Sequence, residues 1–212
     1  MNKRLAPLAS WISETYQVPI INILYGVGEV NRLPWLEIWF EFSRDLDQWT
    51  TQPGAMELDH GKQQAIAHQL NQLQDDRSAH GILSWLPDLG ARRFQTEGLR
   101  CYGCSFEAIA QLEAHQRIPK AYIQQLQDSI GPDCLWKIDN SMGAAIFFTY
   151  TNQILEKVTA DGTLERWTTR YYNLLKTYDE FDYISQSDLK IILDSKENFD
   201  KNYQGNWYYY YK

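Results

Sequence analysis

The chain opens with a helical spacing of apolar residues that then changes to a strand period. The first apolar positions recur three and four residues apart: Leu5, Leu8, Trp11, Ile12 and Tyr16. This spacing places them on one face of an amphipathic helix over residues 3–16. Pro19 ends the helix, and the β-branched run Ile20–Tyr25 predicts a strand.

Residues 35–42 alternate between two kinds of side chain, as a strand with two different faces would. One face carries only apolar residues: Leu36, Ile38, Phe40 and Phe42. The other face mixes tryptophan with glutamate: Trp35, Glu37, Trp39 and Glu41. We expect this strand to pair antiparallel with Ile20–Tyr25.

The sequence pattern between residues 43 and 119 predicts helices connected by loops. The polar stretch 43–61, with Pro53-Gly54 at its centre, predicts a loop, and residues 62–75 return to a helical period. The stretch 77–100 shows no sustained period and is the most plausible seam. Ser105 suits a helix N-cap, and Pro119 suits the first turn of a further helix.

The last third alternates between strand and helix patterns. Two strands over 134–138 and 143–150 are joined by a turn at 139–142, a helix covers 163–176, and a strand covers 189–193. A short helix after residue 152 is also expected. The terminal Trp207 and four consecutive tyrosines have high β propensity and predict an edge strand with alternate rings buried.

These elements predict an α+β fold, with one or two antiparallel sheets flanked by helices in the order αββα-αα-ββαβ. A chain of 212 residues can bury about 70% of its unfolded surface, so we expect a single domain over 1–212 with a possible seam within 77–100. The two halves share a coarse likeness, a strand pair followed by a helix. Without a residue-level repeat, we interpret it as coincidence.

Charge narrows the range of partners. The formal net charge is -7, which repels phosphate backbones and favours basic proteins, so we expect no nucleic-acid ligand. The short basic pairs Lys3-Arg4 and Arg92-Arg93 read as solvated charges. The most apolar windows fall well short of the roughly 20 residues of a membrane helix, and no cleavable apolar leader follows the N-terminus. We therefore expect a cytoplasmic protein without a membrane partner.

The most specific local motif is Cys101-Tyr-Gly-Cys104, which precedes a predicted helix. A helix N-terminus activates a thiolate, so a thiol redox site is one interpretation, and a zinc site with Cys134 and His115 is another. The preceding residues 95–100 are polar, and only one closely spaced cysteine pair exists. We favour two structural thiols around a tight turn at Gly103, with Cys134 in the core.

Other candidate chemistry is weak. Gly26-Val-Gly28 has glycines where a dinucleotide fingerprint would, but Pro34 follows where its helix should run, so a turn between strands is favoured. Asp194-Ser-Lys196 is similar to the acid and lysine pairing of some metal-dependent nucleases. No triad is evident around the chain's histidines, which lie in polar contexts: His60, His68, His80 and His115. We assign no catalytic, cofactor-binding or metal-binding residue.

The strand face formed by Trp35, Glu37, Trp39 and Glu41 is the preferred candidate site. If exposed, it presents aromatic anchors ringed by carboxylates and suits a basic protein partner. Alternatively, a helix covers this face and the glutamates lie at its rim. In general character the chain resembles bacterial immunity or antitoxin-like proteins, being small, acidic and aromatic-rich, with no shared residue motif. We predict a non-enzymatic binding module; the alternatives are a small metal-dependent hydrolase or nuclease and a thiol redox or zinc protein.

Overall fold

The computed structural model describes residues 2–52, 55–80 and 93–212, and for 77–80 it describes the backbone alone. The predicted turn centre Pro53-Gly54, Arg92 and residues 81–92 of the possible seam lie outside the described residues. The chain divides into two compact units, Met1–Ala108 and Ile109–Lys212. The expectation of one domain stays a prediction.

The helices and strands of the first unit follow one another in the order α1 (Ala6–Tyr16), β1 (Ile20–Val27), β2 (Pro34–Phe40), α2 (Ser43–Asp47), α3 (His60–His80), β3 (Arg100–Ser105) and the start of α4 (Phe106–Arg117). Those of the second unit are α5 (Lys120–Ile130), β4 (Leu135–Asp139), β5 (Ala145–Thr149), α6 (Asn152–Ala160), α7 (Thr163–Lys176), β6 (Ile191–Ser195), α8 (Lys196–Tyr203) and α9 (Trp207–Tyr210).

The first unit is built on a three-stranded sheet in the order β1-β2-β3. Strands β1 and β2 pair antiparallel, as predicted, whereas β3 joins β2 in parallel. The core lies on the predicted apolar face of β2, where Leu36, Ile38 and Phe40 are fully buried. Helices α1 and α3, with the residue that precedes α1, add further buried side chains to the same core: Leu5, Leu8, Ile12, Ile66 and Leu70.

Glycine lets helix α2 approach this sheet closely. A Cβ at Gly103 would lie 2.1 Å from Cδ1 of Leu46, so only glycine leaves room for the helix on the core face. Gly103 therefore lies within strand β3 and pairs with Ile38, and the tight turn predicted at this glycine is wrong. The predicted loop 43–61 is also wrong at both ends, where it contains α2 and the start of α3.

The second unit has a sheet in the order β4-β5-β6, again with one antiparallel and one parallel pairing. All five residues of β5 are buried, so both faces of this sheet are covered. One face carries Phe147 and packs against α7 through Trp167 and Tyr171. The predicted helix 163–176 is confirmed with its bounds, and the helix expected after residue 152 is α6.

The opposite face of the second sheet is covered by the chain's own end. We call residues 203–211 the C-terminal aromatic segment; Tyr203, Trp207 and Tyr210 of this segment pack with Phe148 of β5 and Phe199 of α8. The edge strand predicted here is wrong, since Trp207–Tyr210 forms a short helix capped by Asn206. A helical turn places Trp207 and Tyr210, three residues apart, on one face.

The two units contain the same series of elements, helix, antiparallel strand pair, two helices, parallel third strand, helix. Their strand registers also match, because the register shifts between Ile20 and Asn22 in β1 and between Leu135 and Lys137 in β4. Each shift leaves one extra residue, Ile21 or Trp136. The coarse likeness is therefore a shared architecture, and its interpretation as coincidence is wrong.

The likeness extends to hydrogen bonds where the third strand of each unit ends. Ser105 Oγ accepts from the Ala108 N–H at 3.2 Å, and Ser195 Oγ accepts from the Asn198 N–H at 2.9 Å. Both serines therefore act as helix N-caps, as predicted for Ser105. Each hydroxyl also contacts the first residue of the helix that follows the middle strand. Ser105 Oγ lies 3.0 Å from Ser43 Oγ in α2, and Ser195 Oγ donates to Asn152 Oδ1 in α6 at 2.6 Å.

A glutamate two residues after each serine completes the match. Glu107 accepts from the Ser43 N–H at 2.9 Å, and Glu197 accepts from the Asn152 N–H at 3.1 Å. Each carboxylate thus satisfies an N–H at a helix start that has no partner within its own helix. The pattern of a serine followed two residues later by a glutamate, at 105–107 and 195–197, is therefore a residue-level likeness between the two units.

The α+β fold class is confirmed, with antiparallel strand pairs flanked by helices. The parallel third strands were incompletely predicted, because residues 101–104 of β3 were assigned to a turn around Gly103 and β6 extends to Ser195, beyond the predicted strand 189–193. No helix in the described part of the chain is both long and apolar enough to cross a membrane.

Candidate functional site

Three of the four predicted binding residues lie on the face of the first sheet that points away from its core. We call this the first outer face; strand pairing assigns to it Asn22, Leu24, Gly26, Trp35, Glu37, Trp39, Arg100, Tyr102 and Cys104. Trp35, Glu37 and Trp39 are therefore brought together as predicted. Glu41 lies beyond the end of β2, in the bend before α2, where its carbonyl accepts from the Glu107 N–H.

The Trp35 ring lies over Gly26 of the neighbouring strand. A Cβ at Gly26, its partner across β1, would lie 2.2 Å from Cζ2 of the Trp35 ring. Glycine is thus required where the indole crosses the sheet. This contact, rather than a phosphate-binding turn, explains Gly26.

Trp39 and Glu37 form a hydrogen-bonded pair near the centre of the face. Trp39 Nε1 donates to Glu37 Oε1 at 2.6 Å, which orients both side chains. Cys104 lies beside Trp39 on β3, and partial burial together with the negative charge of Glu37 raises the pKa of the Cys104 thiol to about 11. The face therefore holds an ordered aromatic ring next to a carboxylate.

The β3 side of the face was not predicted from the sequence. Tyr102 pairs with Glu37 across the strands, and Arg100 pairs with Trp35. A hydrogen bond with the Tyr102 hydroxyl raises the pKa of Arg100, and the charges of Tyr102 and Glu57 raise it further. Glu57 itself lies in a β-bridge with Tyr102, so it borders the face. The signal that could have found these residues was the short alternation in 100–105.

Helices α1, α2 and α3 pack on the opposite side of the first sheet. Residues of α1, α2 and α3 join the core against Leu36, Ile38 and Phe40. On the outer face Leu24 is 41% exposed, Arg100 is exposed, and the two tryptophans are half-buried. Ile21, the extra residue of the β1 register shift, is also 41% exposed. Aromatic and aliphatic side chains are therefore accessible around one carboxylate.

The cysteine pair has the geometry of a structural strand. Cys101 and Cys104 are three residues apart in β3, so they point to opposite faces of the sheet, and both are free thiols. Burial raises the pKa of Cys101 to about 12. Neither thiol is activated, and the two cannot meet on one face to share a metal or form a disulfide. Cys134, predicted in the core, is half-buried.

Asp194 and Lys196 engage different partners. Asp194 accepts hydrogen bonds from the Tyr210 hydroxyl at 2.7 Å and from the Asn198 amide at 2.9 Å. Lys196 pairs with Asp200 on the next turn of α8. Asp194 thus anchors the C-terminal aromatic segment. Across the described ranges, no three His, Cys, Asp or Glu side chains are placed to hold a metal ion.

His115 is buried, not in the polar setting that its sequence neighbours suggested. It is 3% exposed, and its Nδ1 lies 2.8 Å from the Tyr171 hydroxyl. Burial lowers the pKa of His115 to about 4, so this histidine is neutral at physiological pH. It borders a cavity of about 220 Å³ in the second unit whose other lining residues are Gln111, Gly143, Ala144, Ile184, Asp188, Leu189 and Lys190.

Comparison of the chain with protein-family models, with curated proteins and with solved structures found no significant match.

Proposed function

We propose that this chain is a non-enzymatic, cytoplasmic binding module that masks a basic protein through its first outer face. The single observation that carries this proposal is the placement of Trp35, Glu37 and Trp39 on one sheet face while helices α1, α2 and α3 pack on the other. The general character of bacterial immunity and antitoxin-like proteins supports the same class of function.

Aromatic side chains on this face are suited to act as binding hot spots. Tryptophan and tyrosine dominate the energy of protein interfaces because they bury large surfaces with little loss of conformational freedom. Trp39 is already oriented by its hydrogen bond to Glu37, so binding would cost little additional ordering. Trp35, fixed against Gly26, is similarly preorganised.

Charge favours a basic partner. The net charge of -7 accelerates encounter with a positively charged protein and makes the association rate sensitive to ionic strength. Within the face, Glu37 forms no salt bridge with any of the described residues, and its carboxylate accepts a hydrogen bond from the indole N–H of Trp39. Its carboxylate is therefore available to a lysine or arginine of a partner.

The test is affinity capture from the native cell followed by quantitative binding. Proteins retained by the wild-type chain at near-stoichiometric amounts are identified, purified and titrated against wild type, Trp39→Ala and Glu37→Lys. We expect dissociation constants at least about 30-fold weaker for Trp39→Ala, as for a hot spot of about 2 kcal/mol. Tyr122→Ala, which truncates a 47% exposed ring on α5, is the matched control and should bind as wild type does.

Circular dichroism of each variant establishes that the fold is retained. Two results would contradict the proposal: a wild-type chain that retains no near-stoichiometric partner, or a partner that binds both variants as tightly as wild type. A retained partner with a strongly acidic surface would also contradict the charge argument.

A further inference from the structure

The second sheet shows how an outer face of this architecture is covered. The Trp207 ring stacks on Trp136 at a centroid distance of 6.2 Å and meets Phe148 edge-on at 5.4 Å. The Tyr210 ring lies 5.3 Å from Phe148, and its hydroxyl donates to Asp194. Together with Phe199 of α8 and Trp136 of β4, these two aromatic rings bury Phe148 completely.

Each sheet position under this segment has a counterpart in the first unit. Through the shared registers, Phe148 corresponds to Trp39, and Trp136, the extra residue of its register shift, corresponds to Ile21. The second-unit residues lie beneath the C-terminal aromatic segment. Ile21, by contrast, is 41% exposed, and Trp39 is half-buried rather than fully buried.

We infer that the first outer face binds a short partner segment that sets an aromatic ring on Trp39 and Ile21 and a basic group on Glu37. This inference rests on the proposed function and specifies the chemistry of the partner. Like the C-terminal aromatic segment, the partner segment carries an aromatic ring. Unlike that segment, it also carries a basic group.

The aromatic requirement follows from the equivalent positions. An indole or phenol ring on Trp39 would repeat the edge-on and tilted contacts that Trp207 and Tyr210 make with Phe148. Ile21 supplies an aliphatic surface where Trp136 stacks with Trp207. A ring placed here buries surface that is now exposed to water.

The basic requirement follows from the middle strand, where the two faces differ in charge. Glu37 occupies the place of Ile146 in the middle strand, so a carboxylate replaces a buried aliphatic side chain. In the second unit, the sheet itself supplies a cation to the aromatic ring above it: Lys137 Nζ of β4 lies 3.7 Å from the centre of the Trp207 ring. Asn22 holds the Lys137 position in the first unit, so the partner must supply the cation there.

The experiment is selection of a random 12-residue peptide library displayed on phage against the immobilised wild-type chain. Bound phage are counter-selected on Trp39→Ala, and the enriched peptides are synthesised and titrated by fluorescence anisotropy. We expect enrichment of tryptophan or tyrosine within four residues of lysine or arginine. Affinity should fall at least tenfold on Trp39→Ala and should weaken with added salt.

A second selection on Glu37→Gln keeps the face folded and removes only its charge. We expect aromatic enrichment to persist and the lysine and arginine enrichment to disappear. Peptides that bind through Trp39 without an aromatic and basic pattern would overturn this inference while leaving the proposed function intact. If no peptide depends on Trp39, the inference also fails, and the capture experiment with whole proteins decides the proposed function separately.

Discussion

Removing the hydroxyl of Ser105 or of Ser195 should destabilise the chain by similar amounts, because the two serines make the same contacts in the two units. Each is nearly fully buried, caps a helix and contacts the first residue of another helix. Loss of an N-cap costs about 1 kcal/mol. The second hydrogen bond adds about 0.5 kcal/mol, the low end of the usual range, because Asn152 is exposed and Ser43 is half-buried.

We therefore expect Ser105→Ala and Ser195→Ala each to lower the free energy of unfolding by about 1.5 kcal/mol. The measurement is urea unfolding followed by far-ultraviolet circular dichroism. Amide hydrogen exchange at Ala108 and Asn198 shows whether the loss begins at the helix that each serine caps.

Ser10→Ala is the matched control, because Ser10 is exposed on α1 and should change stability by less than about 0.5 kcal/mol. A loss above about 1 kcal/mol for one capping serine and below about 0.3 kcal/mol for the other would refute the equivalence of the two helix starts.

Three further outcomes are expected. Burial lowers the pKa of His115 from 6.5 to about 4, so the folded state resists protonation of this side chain. The free energy of unfolding, measured by urea titration, should therefore decline by up to about 3 kcal/mol as the pH falls from 6.5 to 4. In His115→Gln this decline should be less steep. Gly26→Ala, which forces a Cβ into the Trp35 ring, should cost about 1–3 kcal/mol in the same assay. With pKa values of about 12 and 11, Cys101 and Cys104 should react with iodoacetamide at pH 7 far more slowly than glutathione, and alkylation at the glutathione rate would contradict their burial.

The candidate site was only partly predictable. Alternation along residues 35–40 placed Trp35, Glu37 and Trp39 on one face, since a strand's side chains alternate whatever surrounds it. The same alternation extended the face to Glu41, which the end of β2 excludes. Arg100 and Tyr102 could not be assigned, because they join the face through a parallel pairing with β2 that spans more than sixty residues.

Small residues concealed the third strand. Cys101 and Gly103 supply its core side, so β3 lacks the large apolar side chains from which strand periods are recognised. Gly103 is nevertheless required there, because Leu46 occupies the space of its missing side chain. Such a glycine acquires meaning only when its neighbour in space is known.

The C-terminal tyrosines show the opposite error. Their β propensity is real, but the short helix Trp207–Tyr210 sets Trp207 and Tyr210 together on Phe148 and Phe199, and this packing outweighs a local preference of a fraction of a kcal/mol per residue. Asn206, which caps that helix, was the local signal that was missed.

By itself, the sequence determined the α+β class, most of the helices, the two antiparallel strand pairs and the mixed tryptophan and glutamate face, because these depend on periods of two and 3.6 residues along the chain. Only the tertiary structure decided the parallel third strands, the matched serine and glutamate contacts and the cover of one outer face by the chain's own end. Those features join residues far apart in sequence, and their energies arise from packing and hydrogen bonds that no local period encodes.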